Sequence, residues 1–148
     1  MQKNQAFFEK KVLSVILNMS EIITPLLTIQ NQIKIFHWQT RSFAQHKSLD
    51  DAYSELGGLI DEFVETYMGI FGRIYATDGD FNIQLTNIDY SLEGKGLSNN
   101  LISFIDGSIE YLKSYSEDTQ LRDKTDLLNI RDEMLATLNQ LKYLLTLS

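Results

Sequence analysis

Residues 37–65 read HWQTRSFAQHKSLDDAYSELGGLIDEFVE and contain both histidines of the chain. His46 and Asp50 are four residues apart, and so are Asp61 and Glu65. Residues at this spacing lie one above the other on a helix, and these four share a stripe of roughly 100°. The apolar residues lie on a different side, centred roughly 270° from His46 on the wheel. They are Leu49, Ala52, Leu56, Leu59, Ile60, Phe63, Tyr67, Ile70 and Ile74.

The two pairs are too far apart to bind one metal ion within one helix. Asp50 and Asp61 are separated by roughly 16 Å of helical rise, whereas a metal–oxygen bond is about 2.0–2.2 Å long. An antiparallel copy of the helix, related by a twofold axis near Glu55 and Leu56, would bring the first pair of one chain to the second pair of the other. Small residues face that axis and would let two helices approach closely: Ser54 and Gly57, with Gly58 at the border of the stripe.

Three short motifs in this stretch resemble the ferroxidase signature of the Dps family, the mini-ferritins. In order they are His37-Trp38, His46-x-x-x-Asp50 and Asp61-x-x-x-Glu65. The resemblance implies an all-α, ferritin-like four-helix bundle with a di-iron site between two subunits. It assigns His37, His46 and Asp50 to one subunit and Asp61 and Glu65 to its mate, both as metal ligands and as the catalytic residues.

The chain differs from the Dps pattern in two places, and it also resembles a second group of proteins. The segment between the histidines is shorter than is usual in the Dps family, and Thr66 stands where an arginine is usual. The chain is also similar to small uncharacterised ferritin-like proteins of tailed phages, which carry similar motifs at 37–40 and 61–65. That second resemblance implies no activity.

The expected function follows from the ligand chemistry. Carboxylates would neutralise and bridge two iron ions, with His37 and His46 as terminal nitrogen ligands, and the same set suits zinc or manganese. We expect Fe(II) to be bound between subunits and oxidised by peroxide or dioxygen, in iron storage or oxidative protection. One alternative is metal binding without redox turnover. Another is a non-enzymatic structural or virion assembly protein on the same bundle.

Each candidate ligand also has a simpler explanation. Asp61 and Glu65 are four residues apart, a spacing that arises easily on a solvated acidic face. His37 follows an apolar stripe by one residue, and a histidine at a helix C-terminus suits the helix dipole. Trp38 is expected to pack rather than to take part in chemistry.

Composition limits the class of protein. The 148 residues predict a single domain, 1–148, and a net charge of −7 opposes binding to nucleic acid. The chain has no cysteine, which excludes disulfides and thiolate sites. The N-terminal residues show no signal-peptide core and no apolar run could span a bilayer, so we expect a cytoplasmic protein, or a virion component, without membrane contact.

Apolar spacing predicts the helices. Gaps of three and four indicate a helix over 7–36, either kinked at Pro25 or divided there into two. Its apolar stripe is expected to form core and comprises Phe8, Val12, Val15, Met19, Ile22, Leu26, Ile29, Ile33 and Phe36. A connection is expected over 40–46, a second helix from about Ser48 to Tyr75, and a long connection over 77–97. Ser98 is expected to cap a third helix, whose apolar stripe is Leu101, Ile105, Ile109, Leu112 and Tyr115. A fourth helix is expected from about Leu127 to Leu145, with an apolar stripe of Leu127, Ile130, Met134, Leu138, Leu141 and Leu145.

Overall fold

The computed structural model describes residues 2–76, 82–92 and 99–147, with side chains for 21–76, 82–91 and 100–147. Every regular element in these ranges is helical, and two single turns of 3-10 helix lie at Tyr90–Leu92 and Ser114–Ser116. The predicted all-α four-helix bundle, with its long connection between the second and third helices, is confirmed. The helices are α1 (Gln2–Gln39), α2 (Phe43–Phe71), α3 (Asn99–Lys113) and α4 (Thr125–Leu145).

α1 is one continuous helix, so Pro25 neither ends it nor begins another. Proline has no amide hydrogen, and the helix therefore lacks the bond that residue 25 would donate to the carbonyl of Glu21. The hydroxyl of Tyr111, on α3, donates to that carbonyl at 2.9 Å. Another helix thus supplies the missing donor, which explains why the proline is tolerated.

Both ends of α2 differ from the prediction. The helix begins at Phe43, because Ser42 is its N-cap and the hydroxyl of Ser42 accepts from the amide of Gln45 at 3.3 Å. The connection between α1 and α2 is therefore 40–42, and the predicted start near Ser48 is wrong. The helix ends at Phe71, before Tyr75, because Gly72 adopts a φ of 95° as its C-cap.

The connection after α2 returns to the end of the bundle where α1 ends. The side chain of Gln32 bonds both the amide and the carbonyl of Thr86, at 2.7 and 2.8 Å. Further along, Gln39 accepts from the amide of Ile88 at 2.7 Å, and the hydroxyl of Tyr90 donates to the carbonyl of Gln39. Residues 86–90 therefore run along the last turns of α1.

α3 begins where this segment ends and runs parallel to α2. The Asn100 side chain, in the first turn of α3, donates to the carbonyl of Asn87, while Tyr111 reaches Glu21, far from the end of α1. α4 then runs back, so that α2 packs against both α1 and α4, and α3 packs against α4. One long crossover connection of this kind is the arrangement of ferritin-like folds, although topology alone assigns no chemistry.

The predicted apolar stripes form the core. The α2 stripe is buried from Leu49 to Tyr67, whereas Ile70 is exposed and Ile74 is half-buried beyond the helix end. The α3 and α4 stripes are buried throughout. On α1 the predicted core residues at 8, 12, 15 and 19, like the predicted cap Ser98, lie outside the side chains that the structure describes. The buried core of α3 and α4 includes Leu101, Ile105, Ile109, Leu112, Tyr115, Leu127, Ile130, Met134, Leu138, Leu141 and Leu145.

A buried arginine joins the end of α3 to α4. Arg131 donates from Nη1 to the carbonyl of Leu112 at 2.8 Å and from Nη2 to the hydroxyl of Ser116 at 3.1 Å. Its Nε lies 2.7 Å from Asp132. The last carbonyls of α3 thus receive a charged donor where the helix has no amides left to offer.

Candidate functional site

The two histidines meet at the tip of the α1–α2 hairpin. His37 lies in the last turn of α1 and His46 in the first turn of α2, and the short connection between the helices brings them face to face. Their rings stack with centroids 3.9 Å apart and planes inclined by 23°. His37 is buried, while His46 is exposed. The short segment between the histidines therefore does not prevent His37 from reaching His46.

Each histidine bonds to the backbone of the other. Nδ1 of His37 is 2.9 Å from the carbonyl oxygen of His46, and Nδ1 of His46 is 2.9 Å from the carbonyl oxygen of His37. A carbonyl oxygen only accepts, so each Nδ1 must carry the hydrogen. In the neutral rings both Nε2 atoms then keep a lone pair. Metal-binding histidines have the same arrangement: one ring nitrogen binds the metal, and the other usually donates to a carbonyl or carboxylate.

Asp50 joins the histidines from one turn further along α2. One of its carboxylate oxygens lies 3.7 Å from Nε2 of His37 and 3.1 Å from Nζ of Lys34. The hydrogen bond from Lys34 lowers the pKa of Asp50, and the positive charge of Lys34 adds to this effect. The carboxylate is therefore ionised, and Lys34 is its counter-ion in the single chain. We call His37, His46 and Asp50 the hairpin cluster.

Sequence reasoning missed Lys34. Its ammonium also lies 4.5 Å from the centre of the Tyr53 ring and 5.9 Å from that of Trp38. Lys34 comes three residues before His37, a spacing that places the two side chains on one helix face. That spacing was the available signal.

Trp38 and Phe43 flank the hairpin cluster as exposed aromatic side chains. Trp38 is 66% exposed and Phe43 is 81% exposed, so the expectation that Trp38 packs is wrong for the single chain. Exposed apolar side chains indicate an interface when they form one contiguous patch, so these two rings are candidates for contact with a second copy or a partner.

Asp61 and Glu65 are not part of the hairpin cluster. Both side chains are exposed, and roughly 16 Å of helix separates Asp61 from Asp50. No group of three or more histidine, cysteine or carboxylate side chains among the described residues is placed to hold a metal ion by itself. Within one chain the hairpin cluster supplies two nitrogens and a carboxylate, and the second pair supplies two carboxylates at a distance.

Of the three small residues on the α2 stripe, one faces α1 and two are exposed to solvent. A Cβ built on Gly57 would lie 2.6 Å from the side-chain nitrogen of Gln30, on α1. Gly57 therefore faces α1, and the expectation that it faces a second copy is wrong. Ser54 and Gly58 are exposed, and a Cβ on Gly58 would meet nothing within 4 Å. The surface beside Asp61 is thus the part of the stripe that stays open.

The chemistry of the hairpin cluster fits a borderline transition metal. Imidazole and carboxylate ligands suit Fe(II), Zn(II) and Mn(II), and four or more ligands are usual. The cluster has fewer, so another group must complete any stable site.

No described helix is long and apolar enough to cross a membrane.

Comparisons with known proteins give a family and a phage relative. The model of a family described as a family of unknown function, DUF5856, matches residues 37–145. An uncharacterized 14.6 kDa protein in the mobD-ri intergenic region of Enterobacteria phage T4 is 42% identical over 55 residues. The aligned part spans 37% of this chain and 43% of the phage protein, less than half of either. No solved structure matches the chain. Similarity to a small phage protein is thus shown, and the resemblance to Dps stays a prediction.

Proposed function

Because the chain belongs to DUF5856, a family of unknown function, we propose its function from its own residues: two copies together bind transition-metal ions and oxidise Fe(II). In this proposal the hairpin cluster of one chain meets Asp61 and Glu65 of the other. Iron is the substrate, and the protein supplies the ligands and the geometry.

The observation that carries the proposal is the reciprocal bonding of the histidines. Two rings that donate Nδ1–H to each other's carbonyls, at 2.9 Å each, are oriented before any metal arrives. A fixed ring orientation supports binding, since a ligand that is already ordered loses less entropy on binding.

The charges of the two halves support the same proposal. The hairpin cluster contributes one carboxylate, and the second pair contributes two, so a completed site would hold three negative charges against two divalent ions. Oxidation by peroxide balances when two Fe(II) give up one electron each and the peroxide takes two electrons and two protons to leave as two waters. Asp61 and Glu65, both exposed, are in contact with the solvent from which Fe(II) and protons would come.

The test is titration with Fe(II) without oxygen, followed by addition of peroxide and measurement of Fe(III) by absorbance. We expect the unmodified chain to bind and oxidise iron, and Asp61→Ala with Glu65→Ala to lose most of both while keeping its melting temperature. A matched control is Asp51→Ala with Glu62→Ala, which removes two exposed carboxylates from the same helix away from the expected twofold axis. Equal binding by both double variants would remove the site assignment.

A second candidate is a non-enzymatic structural or virion assembly role. The exposed rings of Trp38 and Phe43 at the hairpin tip favour it, and the similarity to an uncharacterized protein of phage T4 is compatible with it. The same titration separates the candidates, because an assembly protein would bind no iron. Metal bound without any Fe(III) formed would indicate the third alternative, binding without turnover.

A further inference from the structure

We propose that Lys34 is a resident cation at the hairpin cluster, which a divalent metal ion must displace from Asp50 in order to bind. This inference rests on the proposed metal site and adds a residue that regulates the affinity of that site. Lys34 is neither a ligand nor part of the three motifs.

The contacts of Lys34 hold its ammonium in one place. Nζ lies 3.1 Å from the Asp50 carboxylate and 4.5 Å from the centre of the Tyr53 ring. The ring attracts a cation through its negative face, and the carboxylate attracts it by charge. The side chain of Lys34 is 24% exposed and that of Asp50 is 45% exposed, so water screens the pair only in part.

The position of the ammonium conflicts with a metal ion at the same carboxylate. The oxygen of Asp50 that accepts from Lys34 is the one that lies 3.7 Å from Nε2 of His37. An ion bound by both groups would sit between them, with bonds of about 2.0–2.2 Å. Two positive centres sharing one oxygen repel strongly, because Coulomb energy rises with charge and falls with distance. Lys34 must therefore leave Asp50 when the metal arrives.

Tyr53 gives the displaced ammonium another attractive surface. The face of the Tyr53 ring attracts the ammonium of Lys34 without competing for the carboxylate of Asp50. When the metal leaves, the lysine can return to Asp50. The carboxylate thus alternates between an internal monovalent cation and an external divalent one, and the apparent metal affinity is lower than the ligands alone would provide.

The experiment is calorimetric titration with Zn(II), which is redox-inert, so that affinity is measured without turnover. The variants are Lys34→Met and Lys34→Arg. The control is Lys47→Met, which removes a positive charge next to His46 from an exposed pair with Asp51 at 3.7 Å. We expect Lys34→Met to bind zinc roughly fivefold more tightly, and at least threefold, from the usual strength of partly exposed pairs. Lys34→Arg, which keeps the charge, should bind no more tightly than the unmodified chain.

The outcomes separate this inference from the function on which it rests. Zinc binding by the unmodified chain with a gain below threefold in Lys34→Met would overturn the role of Lys34 and leave the proposed site intact. An equal gain in Lys47→Met would also overturn it, since general charge would then explain the effect. Absence of zinc binding in every variant, Lys34→Met included, would overturn both proposals.

Discussion

Complementation between two inactive variants tests whether the metal site needs two chains. One variant carries His46→Ala and Asp50→Ala, and the other carries Asp61→Ala and Glu65→Ala. Each variant alone lacks half of every site and should bind no metal. In a dimer of one chain of each kind, one site collects all four substitutions and the other collects none. Binding should therefore return when the subunits are allowed to exchange.

The size of the recovery follows from the geometry of α2. About 16 Å of helix separates the two pairs, so a single chain cannot complete its own site and each dimer has two sites. Equal amounts of the two variants, mixed at random, form mixed dimers in about half of the cases, and one of the two sites is restored in each. The expected capacity is therefore about a quarter of that of the unmodified protein, with unchanged affinity per site.

The assay is zinc titration after exchange in mild urea and removal of the urea. Native mass spectrometry with one variant isotopically labelled measures the fraction of mixed dimers, and each variant taken alone through the same steps is the control. Mixed dimers at the random fraction together with no zinc binding would refute the intersubunit site. A chain that stays monomeric throughout yet binds zinc when unmodified would refute it as well.

The remaining predictions concern nucleic acid and stability. At physiological salt a gel shift should show no stable complex with duplex DNA, because the chain carries a net charge of −7, and a discrete shifted band would refute this. Arg131→Met should lower the free energy of unfolding in urea by about 3 kcal/mol, since it leaves the last carbonyls of α3 without a donor, whereas exposed Arg122→Met should stay within about 0.5 kcal/mol. A loss below about 1 kcal/mol for Arg131→Met would contradict that role. Tyr111→Phe should cost about 1–2 kcal/mol, because the carbonyl of Glu21 loses its donor, and an unchanged urea midpoint would argue against this contact. Burial raises the pKa of Tyr111 to about 12, so the unfolded chain ionises first and stability should fall as the pH rises from about 10 to 12, less steeply in Tyr111→Phe.

Periodicity was sufficient to predict most of the fold. Gaps of three and four between apolar residues identified the buried faces of α2, α3 and α4, since a helix buries one face whatever its neighbours are. Periodicity did not decide the effect of Pro25, because the compensating donor, Tyr111, lies on another helix. It also placed the start of α2 too late, since the first core residue, Leu49, comes well after the cap at Ser42.

The candidate site was only partly accessible from the sequence. Spacing on one helix placed His46 beside Asp50, but the stacking of His37 on His46 depends on the length of the hairpin connection. Lys34 belongs to the neighbouring helix, and a wheel of α2 alone cannot show it. The surroundings of Gly57 could not be predicted for the same reason, because the glycine faces Gln30 of the neighbouring helix α1.

Trp38 provides an intrinsic fluorescence signal near the hairpin cluster. It is the single tryptophan of the chain, it is 66% exposed, and it follows His37 directly. Its indole is therefore in water in the single chain, where emission is red-shifted, and it lies 5.9 Å from the ammonium of Lys34. Burial of the indole by a second copy would move the emission to the blue, while a paramagnetic ion at the hairpin cluster would quench it. Subunit association and metal loading thus produce two distinguishable signals in the unlabelled protein, without any introduced dye.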